Sequence, residues 1–264
     1  MTTSAPTEIA ESLDLVATTD RLLVALDFDG TLSPLVDEPM EARMLPAASD
    51  AIDALVAAPD TFVAFVSGRS LTDLRIIAEH SESSPILLAG SHGAEFWIPG
   101  EGRIDPVDEP GAVALRDRLR TDAERLTADL DGVWIEPKTF GFGIHTRKLD
   151  AATAHLANRR VDALVAAEAP EWRRRTGHGI IEFAFRHEGK DAAIAELRKR
   201  IDATAVLFAG DDVTDEDALR RLQPQDLGVH VGAGPTAAKV SVRDIPAMAA
   251  LLASLASTRA DARA

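Results

Sequence analysis

Two aspartates two residues apart, Asp27 and Asp29, stand at the end of an unbroken apolar run, Leu22–Leu26, and lead directly into Gly30-Thr31-Leu32. A continuous apolar run of this kind predicts a central parallel strand covered on both faces. Residues two apart on an extended chain point to the same side, so the spacing predicts two carboxylates converging on one point, with Gly30 letting the backbone turn closely around it. Two like charges held that close need a cation or a shared proton between them, and a divalent metal is the simplest partner. Taken alone, Asp-Gly-Thr also suits an ordinary turn. A second acidic cluster, Gly210-Asp211-Asp212-Val213-Thr214-Asp215-Glu216-Asp217, favours chemistry, because it follows another apolar run at residues 205–209. In an open parallel sheet the C-terminal ends of the strands gather at one edge, where ligands bind.

Positioning these residues requires a layered α/β core. Residues 8–17 read as a short helix with Ile9, Leu13 and Val16 on one side, and residues 34–46 as an irregular, proline-containing connection. A helix over 47–58, with Ile52, Leu55 and Val56 inward, precedes a second apolar strand at 61–66. That strand ends in Ser67-Gly68-Arg69-Ser70, and Ser70 or Thr72 is placed to cap a helix over 71–79. A third strand at 85–89 runs into Gly90-Ser91-His92-Gly93-Ala94-Glu95 and a hairpin through 96–98. Lys190 opens a helix over 191–201, an odd place for a cation because it opposes the helix macrodipole. Beyond the second acidic cluster come a helix to residue 222, a strand at 227–231, a glycine turn at 232–235, a helix over 244–256 and a tail from 257. The turn glycines lack the spacing of a dinucleotide site.

Prolines, glycines and acids cluster at 99–110, the strongest boundary signal in the chain. The pattern then changes to helix 111–128, strands 132–136 and 143–147, helix 151–167, and strands 172–175 and 179–185. This predicts a small α+β layer, helices on one face of an antiparallel sheet, whose other face needs a partner such as the core crevice. The expected organisation is a core over 1–108 and 188–264 with an insert over 109–187. Glu136, Lys138, His145, Arg147, His178 and Glu182 lie on or beside the strands of the insert, where charged residues also suit a solvated face.

In order along the chain, Asp27-x-Asp29-Gly-Thr-Leu, Ser67-Gly-Arg69, Lys190 and Gly-Asp211-Asp212-x-Thr-Asp215 resemble the four motifs of the haloacid-dehalogenase-like phosphatases. Within that superfamily, Gly-Ser-His92-Gly-Ala-Glu and Gly-Asp-Asp-Val-Thr-Asp-Glu-Asp resemble the trehalose 6-phosphate phosphatases, with a likeness running from about residue 21 to 248. One departure is Gly189-Lys190-Asp191, where the family usually has Lys-Gly. The resemblance implies an α/β fold, a Rossmann-like parallel-sheet core with an inserted α+β cap, and a magnesium-dependent phosphatase. It implies Asp27 as nucleophile and Asp29 as general acid and base, with Ser67 and Lys190 meeting the phosphoryl charge. For the metal it implies the Asp27 and Asp211 carboxylates and the Asp29 carbonyl, with Asp212 or Asp215 holding metal-bound water. Ser67, Arg69, His92, Glu136, Lys138, Arg147 and Glu182 are the implied substrate contacts, while His145 and His178 meet the sugar or brace the cap. Trehalose 6-phosphate, another sugar phosphate such as sucrose phosphate, and a regulatory domain that keeps the fold without catalysis all stay open, although the intact Asp27, Asp29, Lys190 and Asp211 argue against the last.

Composition narrows the field further. A formal net charge of -15 repels nucleic-acid phosphates and anionic membrane surfaces, so a small sugar phosphate is the expected partner. There is no cysteine, which removes disulfide and thiolate-metal sites. Acidic residues near the amino terminus and the lack of a basic-then-apolar leader make a cytoplasmic protein the expectation.

Overall fold

The computed structural model describes residues 5–107, 109–177 and 179–262. His178, one of the polar residues singled out in the insert, lies outside them. The chain divides into two compact units, residues 1–105 with 188–264, and residues 106–187. Among the described residues no helix is long and apolar enough to cross a membrane.

In the first unit the order is α1 (Pro6–Ala17), β1 (Leu22–Leu26), α2 (Pro46–Ala57), β2 (Thr61–Val66), α3 (Leu71–Ile77), β3 (Leu87–Gly90), β4 (Glu95–Ile98) and β5 (Gly102–Ile104). The second unit contributes α4 (Pro110–Thr127), β6 (Trp134–Lys138), β7 (Gly141–His145), α5 (Ala151–Glu168), β8 (Arg173–Gly177) and β9 (Ile180–Ala184). The first unit resumes with α6 (Lys190–Arg200), β10 (Ala205–Gly210), α7 (Val213–Arg221), β11 (Leu227–Val231), β12 (Val240–Val242) and α8 (Ile245–Ala262).

The first unit is built on one sheet in the order β12-β11-β10-β1-β2-β3-β4-β5, parallel from β12 to β3 and antiparallel beyond. Alternate residues of β1 explain its unbroken apolar run. Leu22, Val24 and Leu26 join one core with α1, α2, α3 and α8, while Leu23 and Ala25 join a second core with α6 and α7. Both faces are covered, so both must be apolar. From β1 the chain builds outward through β2 and β3, and after the insert it builds the other way through β10, β11 and β12. The order therefore reverses beside β1, where an open sheet leaves its binding crevice.

Three expectations need correction. The expected tail from Ser257 is instead the last turns of α8. Arg259 is fully buried there and donates to the carbonyls of Ala17 (2.8 Å), Thr19, Asp20 (3.2 Å) and Asp60 (2.9 Å) and to Thr61 Oγ1 (3.1 Å). The stretch from Ser257, rich in small and charged residues, carries no apolar periodicity to reveal this. The short strands β5, within the stretch read as a boundary, and β12 are not among the expected elements. In the insert, β6 begins two residues later and β7 two residues earlier than expected, because Lys138 pairs with Gly141 across a two-residue connection. Pro137 argues against a strand, but β6 is an edge of its sheet, where a missing N–H costs no ladder bond.

The second unit is a four-stranded antiparallel sheet, β6-β7-β9-β8, with α4 and α5 on one face. Ile135, Phe142, Ile144, Ile181 and Phe183 point into that core with Leu119, Ala123, Ala157, Val161 and Trp172. Strand alternation puts Trp134, Glu136, Lys138, Gly143, His145 and Glu182 on the opposite face.

Candidate active site

β1, β2, β3 and β10 run parallel, so the segments that follow them, Asp27 onward, Ser67 onward, Ser91 onward and Asp211 onward, emerge at one sheet edge. Asp27 N still donates to Ala209 O (2.9 Å), extending the β1–β10 pairing by one step and fixing the Asp27 backbone beside the second acidic loop. Gly30 has φ +81, and a Cβ there would overlap the Asp211 carboxylate. Glycine is therefore required twice over, for the turn and for the close approach.

Asp27, Asp211 and Asp215 each present a carboxylate oxygen within 4.8 Å of the others. Lys190 Nζ bridges this group, 2.7 Å from Asp27 Oδ1 and 2.6 Å from Asp215 Oδ1, and is itself only 3% exposed. Those two partners offset the opposing macrodipole at the start of α6, which explains a lysine where helix stability disfavours one. Burial would push the Lys190 ammonium down, but the charges of Asp215 and Asp27 outweigh it and hold its pKa above the ordinary lysine value. Burial pushes the Asp27 carboxyl well above the usual carboxylate range; Lys190 opposes this, and Asp215 and Asp211 reinforce it. Burial, then Asp215, pushes Asp211 up to about 7.

The charge count shows what the cluster lacks. With all three carboxylates ionised (−3), the one ammonium (+1) would leave −2 in a buried site; that excess is part of what raises Asp27 and Asp211, and a divalent cation would neutralise it. Asp211 Oδ1 is buried without a hydrogen-bond partner, leaving a carboxylate oxygen of the group available as a ligand. An all-oxygen donor set of this kind fits magnesium.

Asp215 is fully buried, and its second oxygen accepts from the backbone N–H groups of Asp211 (3.1 Å) and Asp212 (3.0 Å). It therefore shapes the loop that carries Asp211. Asp212 is not in the cluster: its carboxylate caps α7 by accepting from Val213 N at 2.7 Å.

The Asp29 carboxylate is not one of the three that cluster. β1 stops at Leu26, and the chain curls so that Leu32 N and Ser33 N both donate to Phe28 O (3.0 Å each). The same-side rule for alternate residues ends where the extended chain ends. The Asp29 carboxylate is held instead by Arg69, whose Nε and Nη2 donate to its two oxygens at 2.6 and 2.7 Å. Arg69, expected on the substrate, thus pairs with the expected general acid. Ser67 is buried and its Oγ accepts from Arg69 N (3.1 Å), an arrangement that turns the hydroxyl proton to other use. Ser70, not Thr72, caps α3. His92 is buried with left-handed backbone, φ 58.

On the open face of the second unit, Lys138 Nζ lies 2.9 Å from Glu136 Oε2 and 3.3 Å from Glu182 Oε1, and His145 Nε2 lies 2.8 Å from the same Glu136 oxygen. Trp134 stacks on His145 with ring centroids 4.5 Å apart. Burial would raise Glu136, but the His145 hydrogen bond and the Lys138 charge together hold it below the usual range. Arg147 follows the end of β7 and is exposed.

The family model for trehalose-phosphatase matches residues 25–249. The chain belongs to the trehalose-phosphatase family. A trehalose-phosphate phosphatase of Mycobacterium leprae is 30% identical over 252 residues, covering 84% of this chain and 53% of its own length. The chain thus spans about half the length of the curated trehalose-phosphate phosphatases it matches. Among solved structures, the C-terminal domain of Candida albicans trehalose-6-phosphate phosphatase superposes with TM-score 0.80 at 19% identity, covering 97% of this chain and 98% of that one. A trehalose-6-phosphate phosphatase related protein gives TM-score 0.72 at 26% identity over 87% of this chain and 95% of that one.

Glu95 received no role from its sequence beyond its place in a motif. Its signal was a carboxylate heading an otherwise apolar strand, Glu95-Phe-Trp-Ile, and the structure buries it.

Proposed function

We propose that this protein is a magnesium-dependent phosphatase that hydrolyses trehalose 6-phosphate to trehalose and phosphate through an aspartyl-phosphate on Asp27. The observation that carries the reading is the Asp27 carboxylate, buried and fixed by Lys190 at the edge of a parallel sheet inside a cluster of three carboxylates and one ammonium, two positive charges short of balance when all are ionised. Asp27 attacks phosphorus in line while the bond to the sugar oxygen breaks. Asp29 gives that oxygen a proton, then takes one from the water that cleaves the acyl phosphate and returns Asp27. Arg69 restrains Asp29 through the bidentate pair, and one Asp29 oxygen must leave that pair to carry the proton. Lys190 restrains Asp27 and, with the Ser67 hydroxyl, faces the charge on the transferring phosphoryl group.

Asp27, Asp211 and the Asp29 carbonyl are assigned to magnesium, with Asp215 beside them; when bound, the ion screens the nucleophile and the phosphoryl oxygens. His92 is assigned to the substrate side of the same unit. Glu136, Lys138 and Glu182, supported by His145, and with Arg147 nearby in sequence, are assigned to sugar hydroxyls. Family membership and the preformed carboxylate–ammonium cluster support this assignment.

Phosphate release from trehalose 6-phosphate, sucrose phosphate and glucose 6-phosphate, each with magnesium and with excess chelator, tests the proposal. Release from trehalose 6-phosphate that chelator abolishes and magnesium restores is expected. Preference for sucrose phosphate would move the substrate to another disaccharide, and magnesium-independent release would remove the metal assignment.

A further inference from the structure

A buried carboxylate outside the phosphoryl-transfer cluster, Glu95, is used by none of the chemistry above. It heads β4 and is 1% exposed. Its Oε2 accepts from the Leu71 backbone N–H (3.1 Å) and the Ser91 hydroxyl (2.6 Å), and its Oε1 accepts from Arg103 Nη2 (2.6 Å). Arg103 in turn donates to Thr72 Oγ1 (3.1 Å).

The elements joined here are those that carry the phosphate-side residues. Leu71 is the first residue of α3, directly after Ser67-Gly-Arg69-Ser70. Ser91 and His92 are consecutive non-glycine residues with left-handed backbone, φ 49 and 58, and such conformations persist only where the surroundings over-determine them. The turn is laced to the Ser67 loop by Ser91 N to Arg69 O (2.6 Å) and His92 N to Ser67 O (2.9 Å). Contact is also close in space. A Cβ on Gly68 would lie 2.7 Å from the His92 ring, and one on Gly93 would lie 2.6 Å from Cβ of Ala193, in the first turn of the helix that Lys190 opens.

We propose that Glu95 is a positioning residue for the phosphoryl-transfer site. By binding Ser91 and the start of α3 together, it locks the left-handed turn between the Ser67 loop and α6, and so sets where Ser67, Arg69 and Lys190 stand. The assignment rests on the proposed function in taking those three as phosphate-side groups. Three donors converge on Glu95, so a carboxylate, which only accepts, fits and a glutamine does not: its NH2 would face one of them.

Glu95→Gln preserves size and is expected to lower kcat/KM by at least about tenfold, since small misplacements of catalytic groups carry large rate costs. The loss should be equal on trehalose 6-phosphate and on a small aryl phosphate, because the displaced groups face phosphate and not sugar. Ser91→Ala should lose activity in the same direction, by a smaller factor. Thr72→Val, at the outer end of the network, should keep wild-type kinetics. The His92 ring signal in NMR, assigned by its loss in His92→Gln, should move in Glu95→Gln and Ser91→Ala and stay in place in Thr72→Val. If Glu95→Gln does not fold, Ser91→Ala decides. Wild-type kinetics in a folded Glu95→Gln or Ser91→Ala, a kinetic loss with the His92 signal unmoved, or a loss confined to the sugar phosphate would each overturn the proposal. If wild type releases phosphate from neither substrate, the proposed function fails, and movement of the His92 signal alone then decides the role of Glu95.

Discussion

At the scale of single residues, one ammonium standing against three carboxylates governs what each substitution does. Asp27→Asn keeps the shape and removes both the nucleophile and one buried, repelled charge. Turnover should fall by at least about a thousandfold with no loss of thermal stability, measured as phosphate release beside a melting curve; residual turnover in the folded variant would remove Asp27 from its role. Asp29→Asn breaks the bidentate pair with Arg69 and takes away the proton donor. Its first step should be hit hard with a sugar phosphate and far less with an aryl phosphate, whose leaving group needs no acid. Equal proportional loss of the first step on both, read by stopped-flow release of the alcohol or phenol, would contradict the assignment. The aspartates were legible in sequence because charge at a strand end signals chemistry. Their different partners were not, since Asp29 is held by an arginine some forty positions away and Asp27 by Lys190.

At the scale of elements, the buried run of β1 was readable because it reports that both faces are covered, whereas the last turns of α8 depend on one side chain filling a polar socket. Arg259→Ala would leave backbone carbonyls of α1, its following loop and Asp60 without that donor, costing roughly 2–4 kcal/mol. Urea unfolding should show it as a lower midpoint with unchanged kcat in the folded protein, and an unchanged midpoint would contradict it. Beyond α3, His80 contacts Ile86 O at 2.9 Å and packs T-shaped against Trp97, with Arg75 over the Trp97 ring. Burial, with the Arg75 charge adding to it, holds the imidazole below 6.5 despite the Ile86 contact. The unfolded chain then binds the proton more readily, so this contribution is present above pH 6.5 and is lost as pH falls through the lowered folded value. Unfolding free energies measured between roughly pH 7 and 5 should fall less steeply in His80→Gln than in wild type; parallel slopes would contradict the assignment.

At the scale of the whole molecule, two units carry two kinds of residue, and the helix, two strands, helix, two strands order of residues 106–187 made the second unit visible in the sequence. Its charged face was visible only as scattered polar residues, because cross-strand pairing, not sequence spacing, brings Lys138 to Glu182. If that face reads sugar hydroxyls, Glu182→Ala should cost roughly 10- to 100-fold in kcat/KM on trehalose 6-phosphate and leave a small aryl phosphate nearly unchanged; equal losses on both would assign Glu182 to folding or to the chemistry instead. The proposed reaction requires phosphorus to pass through Asp27. Wild-type protein mixed with trehalose 6-phosphate and magnesium, acid-quenched within one turnover and reduced with borohydride, converts any aspartyl-phosphate to homoserine, which peptide mass spectrometry locates. Homoserine at position 27, dependent on substrate and absent from Asp27→Asn, is the predicted result. Rapid phosphate release with position 27 unlabelled, or with the label at Asp211, would contradict it.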